Sequence, residues 1–310
     1  MSLHNELHLE AATGLSLGAR EAQEDSVLCD VPQGGGAGIL VLADGLGGHA
    51  GGALASRIAV TTALRELASQ RDASGQLTGG IPAILQMAAE AANHAVLAQA
   101  ECSPDLEGMG TTLILTVVQG SDLYWLSVGD SPLYLIRDGA PVKLNETHSL
   151  APHLDLLVEV GEMDAEEAAT HPGRNCLTSA LGTDRIERID CPEDPYALLP
   201  GDAVLAASDG ILTLTQADIA GVVTECAPDL SSAGRVARLL DAVSNAEDAE
   251  QDNTSIALLR ASPSRAAMPK QRPIRFLDRV CNGLRLPQAA RAALAAERAA
   301  PPAPARMRAE

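Results

Sequence analysis

The sequence predicts an α+β fold, with strands gathered into layers and helices segregated between them. Three observations carry that expectation. Gly38-Ile39-Leu40-Val41-Leu42-Ala43 is apolar without alternation, which suits a strand covered on both faces. Residues 111–137 read as a meander of apolar runs, with turns signalled at Gln119-Gly120-Ser121 and just beyond it at Asp138-Gly139. Two long stretches, 51–70 and 81–101, have helical patterning and are parted by the break Gly79-Gly80-Ile81-Pro82.

In chain order, strands are expected at 11–18, 26–30 and 38–43, followed by those two helices. The meander supplies Thr111 to Gln119, Asp122 to Val128 and Leu133 to Arg137. A polar excursion from Asn145 to about Gly182 interrupts the strands, with Leu150, Leu154, Leu157 and Val158 at helical spacing. A strand ending at Ser208, helices near 216–226 and 231–246, and a last strand at 254–260 complete the pattern, which is that of α+β layers.

The 310 residues are 46% hydrophobic but only 2% aromatic, so the core must be built from Ala, Val, Leu and Ile. Six cysteines (Cys29, Cys102, Cys176, Cys191, Cys226 and Cys281) form no CxxC pair, and no signal peptide or apolar run of membrane length precedes them. A reduced, cytoplasmic, soluble protein without a transmembrane segment is therefore expected. Residues 262–310 hold ten Lys or Arg and three Asp or Glu, a net of +7, which leaves −26 on residues 1–261 for the total of −19. A field of that sign repels nucleic acid from the main domain and attracts divalent cations and basic peptides, although acidity that serves only solubility is the plainer reading of charge alone.

The chemistry-bearing residues share one grammar. Apolar runs lead into Asp44-Gly45, Gly129-Asp130 and Ser208-Asp209-Gly210, while Glu24-Asp25 and Asp252-Asn253 stand immediately before strands. Carboxylates gathered at one end of a sheet repel one another and stay ionised where a cation compensates them. Oxygen-only donors select hard ions such as Mg(II) or Mn(II), and no Cys/His cluster at zinc spacing competes.

These residues carry a family resemblance. Arg20-Glu21-Ala22-Gln23-Glu24-Asp25, Asp44-Gly45-Leu46-Gly47-Gly48-His49, Gly110-Thr111-Thr112, Val128-Gly129-Asp130-Ser131 and His148-Ser149 come in order. His171-Pro172-Gly173-Arg174-Asn175-Cys176-Leu177-Thr178-Ser179-Ala180-Leu181-Gly182, Ser208-Asp209-Gly210 and Asp252-Asn253-Thr254-Ser255 follow. Over about residues 9–261 the chain resembles the bacterial metal-dependent Ser/Thr protein phosphatases of the PPM, or protein phosphatase 2C, family. The resemblance implies a four-layer α-β-β-α sandwich of two mainly antiparallel sheets, with a flap subdomain at about 145–182 serving recognition.

It further implies two Mn(II) or Mg(II) ions held by Asp25, Asp44, the Gly45 carbonyl, Asp209 and Asp252, a third, weaker site at Asp130 shared with Asp209, and Glu24 accepting from metal-bound water. A hydroxide bridging the two ions would attack phosphorus. Arg20 fits phosphate binding because its planar fork donates two parallel hydrogen bonds, against the alternative of an ordinary surface arginine. For His49 two readings stand: protonation of the leaving oxygen, or a helix-entry histidine that orients the Gly47-Gly48 turn. His148 and His171 read as core or helix-cap histidines in preference to catalysts, since neither belongs to the strand-end acidic set. Gln23 stands where the family commonly has asparagine, and Pro132, which lacks an N–H, stands where arginine is common.

The expected activity is hydrolysis of phosphoserine and phosphothreonine in proteins, opposing a cognate bacterial Ser/Thr kinase. A pseudophosphatase binding module and a dedicated phosphatase of a sigma-factor regulator are the alternatives, with intact Asp25, Asp44, Asp209 and Asp252 arguing against the first. The expected domains are 1–261, catalytic, and 262–310, a mobile Pro/Ala/Arg-rich basic tail. Ile274, Leu277, Val280, Cys281 and Leu284 have the spacing of a short amphipathic helix at 274–285, which would suit a partner, an anionic surface or the acidic domain, against the favoured alternative of a disordered extension with no specific partner.

Overall fold

The computed structural model describes residues 7–32, 37–47, 50–225 and 229–263. Its elements are β1 (Leu7–Ser16), β2 (Ser26–Asp30), β3 (Gly38–Ala43), β4 (Gly45–Leu46), α1 (Ala50–Ser69) and α2 (Ile81–Ala100). After them come β5 (Gly110–Thr111), β6 (Leu113–Gln119), β7 (Asp122–Val128), β8 (Leu133–Arg137), β9 (Ala140–Lys143), α3 (Ala151–Glu159) and α4 (Ala165–Thr170). The chain then forms β10 (Tyr196–Ala197), β11 (Ala203–Ala207), α5 (Gln216–Thr224), α6 (Ser232–Asn245) and β12 (Thr254–Pro263).

Two five-stranded sheets result, ordered β1-β12-β11-β8-β9 and β10-β7-β6-β3-β2, and their strand pairs are antiparallel. The unalternating run of β3 has a simple cause. Ile39 and Val41 pack under α1 and α2, whereas Leu40 and Leu42 meet Leu133, Leu135, Val204 and Leu259 of the facing sheet. On the other side, Leu205, Ile256 and Leu258 pack beneath Ile219 and Val223 of α5 and Leu239 of α6. Each central strand is thus buried on both faces, giving the four-layer α-β-β-α sandwich. Alanines 55, 59, 63, 88, 89 and 92 make up much of the helical share of the core on the α1 and α2 side, in keeping with the scarcity of aromatics.

Both predicted hairpin turns form. Gly120 has φ +67°, and Asp138 and Gly139 both have positive φ, the backbone that a two-residue hairpin loop requires. β9 was not expected, because its mostly exposed Ala140–Lys143 carries no apolar pattern. The first strand begins at Leu7 in place of residue 11, since Leu7 to Leu9 pair with Pro263 to Ala261. By the same pairing β12 runs past the expected end at 260, and past the boundary at 261, to Pro263. Residues 264–310, including the expected 274–285 helix, lie outside the described residues, as do Gly48 and His49.

The excursion at 145–182 carries the short helices α3 and α4, and its two ends meet in a bridge between Ser149 and Leu177. A second bridge joins Leu181 to Thr111, which brings the end of the excursion beside the strand exits where the acidic residues stand.

Candidate active site

Asp44 leaves β3 with its backbone fixed on every polar atom. Its N–H donates to Thr112 Oγ1 (3.0 Å), and its carbonyl accepts from Thr111 Oγ1 and from the Thr112 N–H, both at 2.8 Å. Gly45 follows at a close backbone crossing. A Cβ there would stand 2.2 Å from the Gly52 carbonyl oxygen and 2.6 Å from that of Glu24, so only glycine fits.

Asp25 is 5% exposed at the entry to β2. Its N–H donates to Gln23 Oε1 (2.9 Å), while Gln23 Nε2 donates to the Ser16 carbonyl (2.9 Å). The departure at Gln23 therefore serves to hold Asp25. Ser208 Oγ donates to Asp25 Oδ2 (2.7 Å) and accepts from the Ser255 N–H (2.8 Å), whereas Asp25 Oδ1 is buried with no protein partner.

Asp209 opens a 3-10 turn directly after β11, and Asp252 precedes β12. Arg20 donates to Asp252 Oδ2 at 2.5 Å, between residues 232 positions apart. Asn253 closes the ring, since its Oδ1 accepts from the Glu24 N–H (2.7 Å) and its Nδ2 donates to the Leu17 carbonyl (2.8 Å).

One cleft of about 270 Å³ gathers the predicted set: Arg20, Glu24, Asp44, Gly45, Asp130, Asp209 and Asp252 line it, together with Thr112, Asn175, Leu177 and Asn253. Asp25 stands behind this lining, close enough to Asp44 for their charges to interact. A larger cleft of about 510 Å³, lined by Ile136, Asp138, Val223, Arg235 and Arg260 among others, holds none of these carboxylates.

Crowding shows in the acidities. Burial first, then the charges of Asp25, Asp209 and Asp130, push the Asp44 carboxyl well above the usual range. Asp209 is pushed up to about 7 by burial and by Asp130, Asp252 and Asp25, with Arg20 opposing. Burial also raises Asp25 and Asp130, the latter offset in part by Lys143.

An all-oxygen donor set, mutual repulsion and the unpartnered Asp25 Oδ1 fit hard divalent cations. Among the described residues, no three Asp, Glu, His or Cys side chains converge closely enough to chelate one ion as they stand.

The two histidines of the 145–182 segment take structural positions. His171 ends α4, and its Nδ1 accepts from the Gly173 N–H (3.1 Å). His148 is 1% exposed, and its Nδ1 accepts from the Gly129 N–H (3.2 Å). Thr112, Ser208, Asn253, Asn175 and Leu177 were not singled out from the sequence for any role. Each lies within an element of the family resemblance, which marked the segment without indicating the side chain's partner.

Fold and site together define a class: a two-sheet α-β-β-α sandwich with carboxylates collected at the strand ends. The family model described as Protein phosphatase 2C matches residues 19–259, and the chain belongs to that family. The serine/threonine protein phosphatase PstP of Mycobacterium tuberculosis is 38% identical over 192 residues, 62% of this chain and 34% of that protein, so the match spans about a third of the relative's length. A Streptococcus agalactiae serine/threonine phosphatase superposes with a TM-score of 0.69 at 27% identity, covering 82% of this chain and 99% of the other. The catalytic domain of PstP in complex with two manganese ions superposes at 0.65 and 29% identity, over 83% and 99% of the two chains. Within the described residues, no helix is long and apolar enough to cross a membrane.

Proposed function

We propose that this chain hydrolyses phosphoserine and phosphothreonine in proteins and so reverses a Ser/Thr kinase. The observation that carries the reading is the collection of Asp44, Asp130, Asp209 and Asp252 with Arg20 on one cleft, backed by buried Asp25. Asp25, Asp44, the Gly45 carbonyl, Asp209 and Asp252 would hold two Mn(II) or Mg(II) ions, and Asp130 with Asp209 a third. Such ions, when bound, neutralise these carboxylates and the phosphate and make hydroxide available near neutral pH.

The chain's own residues do the rest. Arg20, now on Asp252, is 56% exposed along its side chain and has the reach to exchange that carboxylate for a phosphate oxygen. Ser208 and Gln23 hold Asp25 on one oxygen and on its N–H, leaving Oδ1 to face a cation. Thr111 and Thr112 lock the Asp44 backbone, so that its carboxylate and the Gly45 carbonyl keep a fixed relation. Glu24 would accept from water at the cleft edge, and His49 would deliver the proton to the leaving oxygen. Asn175 and Leu177 bring the 145–182 segment to the cleft wall, where a phosphopeptide would lie.

Hydrolysis of a phosphothreonine peptide and of p-nitrophenyl phosphate, with Mn(II), Mg(II) or EDTA, tests the reading. Turnover with either ion and its loss in EDTA is expected. Metal-independent turnover, or none with either ion, would refute it.

A further inference from the structure

We propose that His148 is a positioning residue that ties the cleft-wall segment to the turn bearing Asp130 and, through Thr112, to Asp44. The inference rests on the metal-phosphatase reading of the site and assigns a task to a histidine which that reading leaves unused.

His148 holds Gly129 at both polar atoms. Its Nδ1 accepts from the Gly129 N–H at 3.2 Å, and its own N–H donates to the Gly129 carbonyl at 2.9 Å. With Nδ1 accepting, the ring proton sits on Nε2, on the side of the Glu146 carboxylate 3.9 Å away. Burial, followed by Arg188, holds the imidazole below its usual pKa, which favours this neutral form.

Gly129 lies close against Thr112. Its φ is +103°, and a Cβ there would meet Thr112 Cγ2 at 2.6 Å, so the turn is wedged between His148 and Thr112. Thr112 Oγ1 in turn accepts the Asp44 N–H at 3.0 Å and hydrogen-bonds Ser131 Oγ at 2.9 Å. A displaced Gly129-Asp130-Ser131 turn would therefore be felt at Asp130 directly and at Asp44 through one threonine.

On its other side His148 belongs to the cleft wall. Its carbonyl accepts from the Thr178 N–H at 2.9 Å, and the neighbouring Ser149 pairs with Leu177, which lines the cleft. Residues that hold ligand-bearing groups in place commonly change metal affinity or activity by 10- to 100-fold when removed. Physical adjacency alone does not establish coupling, so the test must read it directly.

The experiment compares wild type, His148→Ala and His148→Asn, whose Oδ1 falls near the place of Nδ1. Three readouts are taken: Mn(II) affinity by calorimetry, amide exchange at Gly129 in EDTA, and p-nitrophenyl phosphate kinetics. His148→Ala should weaken Mn(II) binding and lower kcat, each by about tenfold, with KM within about threefold, and should lose protection at Gly129. His148→Asn should restore affinity, kcat and protection to within about threefold of wild type. Wild-type affinity and Gly129 protection in His148→Ala, or identical losses in both variants, would overturn the proposal.

Should His148→Ala fail to fold, His148→Gln takes its place. Its carbonyl reaches toward the position of Nε2 and away from Gly129, so it must show the loss that His148→Asn avoids, and equal behaviour would again overturn the proposal. If the wild type neither binds Mn(II) nor hydrolyses the ester, the metal-phosphatase reading fails separately. The Gly129 exchange measured in EDTA then still decides whether His148 holds the turn.

Discussion

Replacing Asp209 with asparagine should make the metal-free protein more stable while removing most of its turnover, and both effects follow from the same crowding of charge. The Asp209 carboxyl is raised from 3.8 to about 7 by burial and by Asp130, Asp252 and Asp25. The native state therefore binds this proton more tightly than the unfolded chain, so stability falls as pH rises between about 4 and 7 and is level above that window. Each pH unit across the window is worth about 1.4 kcal/mol, so the ionised group costs up to about 4 kcal/mol at pH 8; neighbours that keep their own protons relieve part of it. Asparagine keeps the shape and removes the charge. Urea unfolding in EDTA should show the variant more stable than wild type at pH 8, by a margin about 2 kcal/mol larger than at pH 5. With saturating Mn(II), its kcat on p-nitrophenyl phosphate should fall at least about a hundredfold, a loss of about 2.7 kcal/mol of transition-state stabilisation. A variant less stable than wild type at pH 8, a margin independent of pH, or near-normal turnover would refute the reasoning.

Asp44→Asn should lower kcat to a similar degree with the fold intact, as circular dichroism alongside kinetics would show. Arg20→Ala should raise KM for a phosphothreonine peptide and leave Mn(II) affinity within about threefold; because the two side chains of its ion pair are 56% and 39% exposed, thermal stability should change by less than about 1 kcal/mol. Thr112→Val leaves the partly buried Asp44 N–H without its acceptor, which should cost about 1–3 kcal/mol in urea unfolding. Truncation after Pro263, where β12 ends its pairing with Leu7, should preserve the melting transition and p-nitrophenyl phosphate hydrolysis; loss of either would place residues beyond 263 in the catalytic domain.

The central buried strands, and the carboxylates that follow β3, β7 and β11, were legible in the sequence. β2, β3, β7 and β8 fall where they were expected, and β6 within two residues of its expected start; for β3, β6 and β8 the reason is that a strand packed on both faces must be apolar almost throughout. Asp44 and Asp209 follow those runs because an ionisable group is tolerated only where the covered strand ends. β9 escaped notice for the converse reason: its exposed face imposes no apolar pattern.

The long-range partners of the site's polar side chains were set by tertiary packing. Arg20 meets Asp252 across 232 residues, Ser208 meets Asp25 across 183, and His148 meets Gly129 across 19. A hydrogen bond depends on angles and on distances of a few tenths of an ångström, and its partner can come from any strand the sheet order places alongside. Burial leaves a periodic trace along a single segment, whereas the pairing of separate strands, which joins Thr112 to Asp44 across 68 residues, exists only once the sheet has folded.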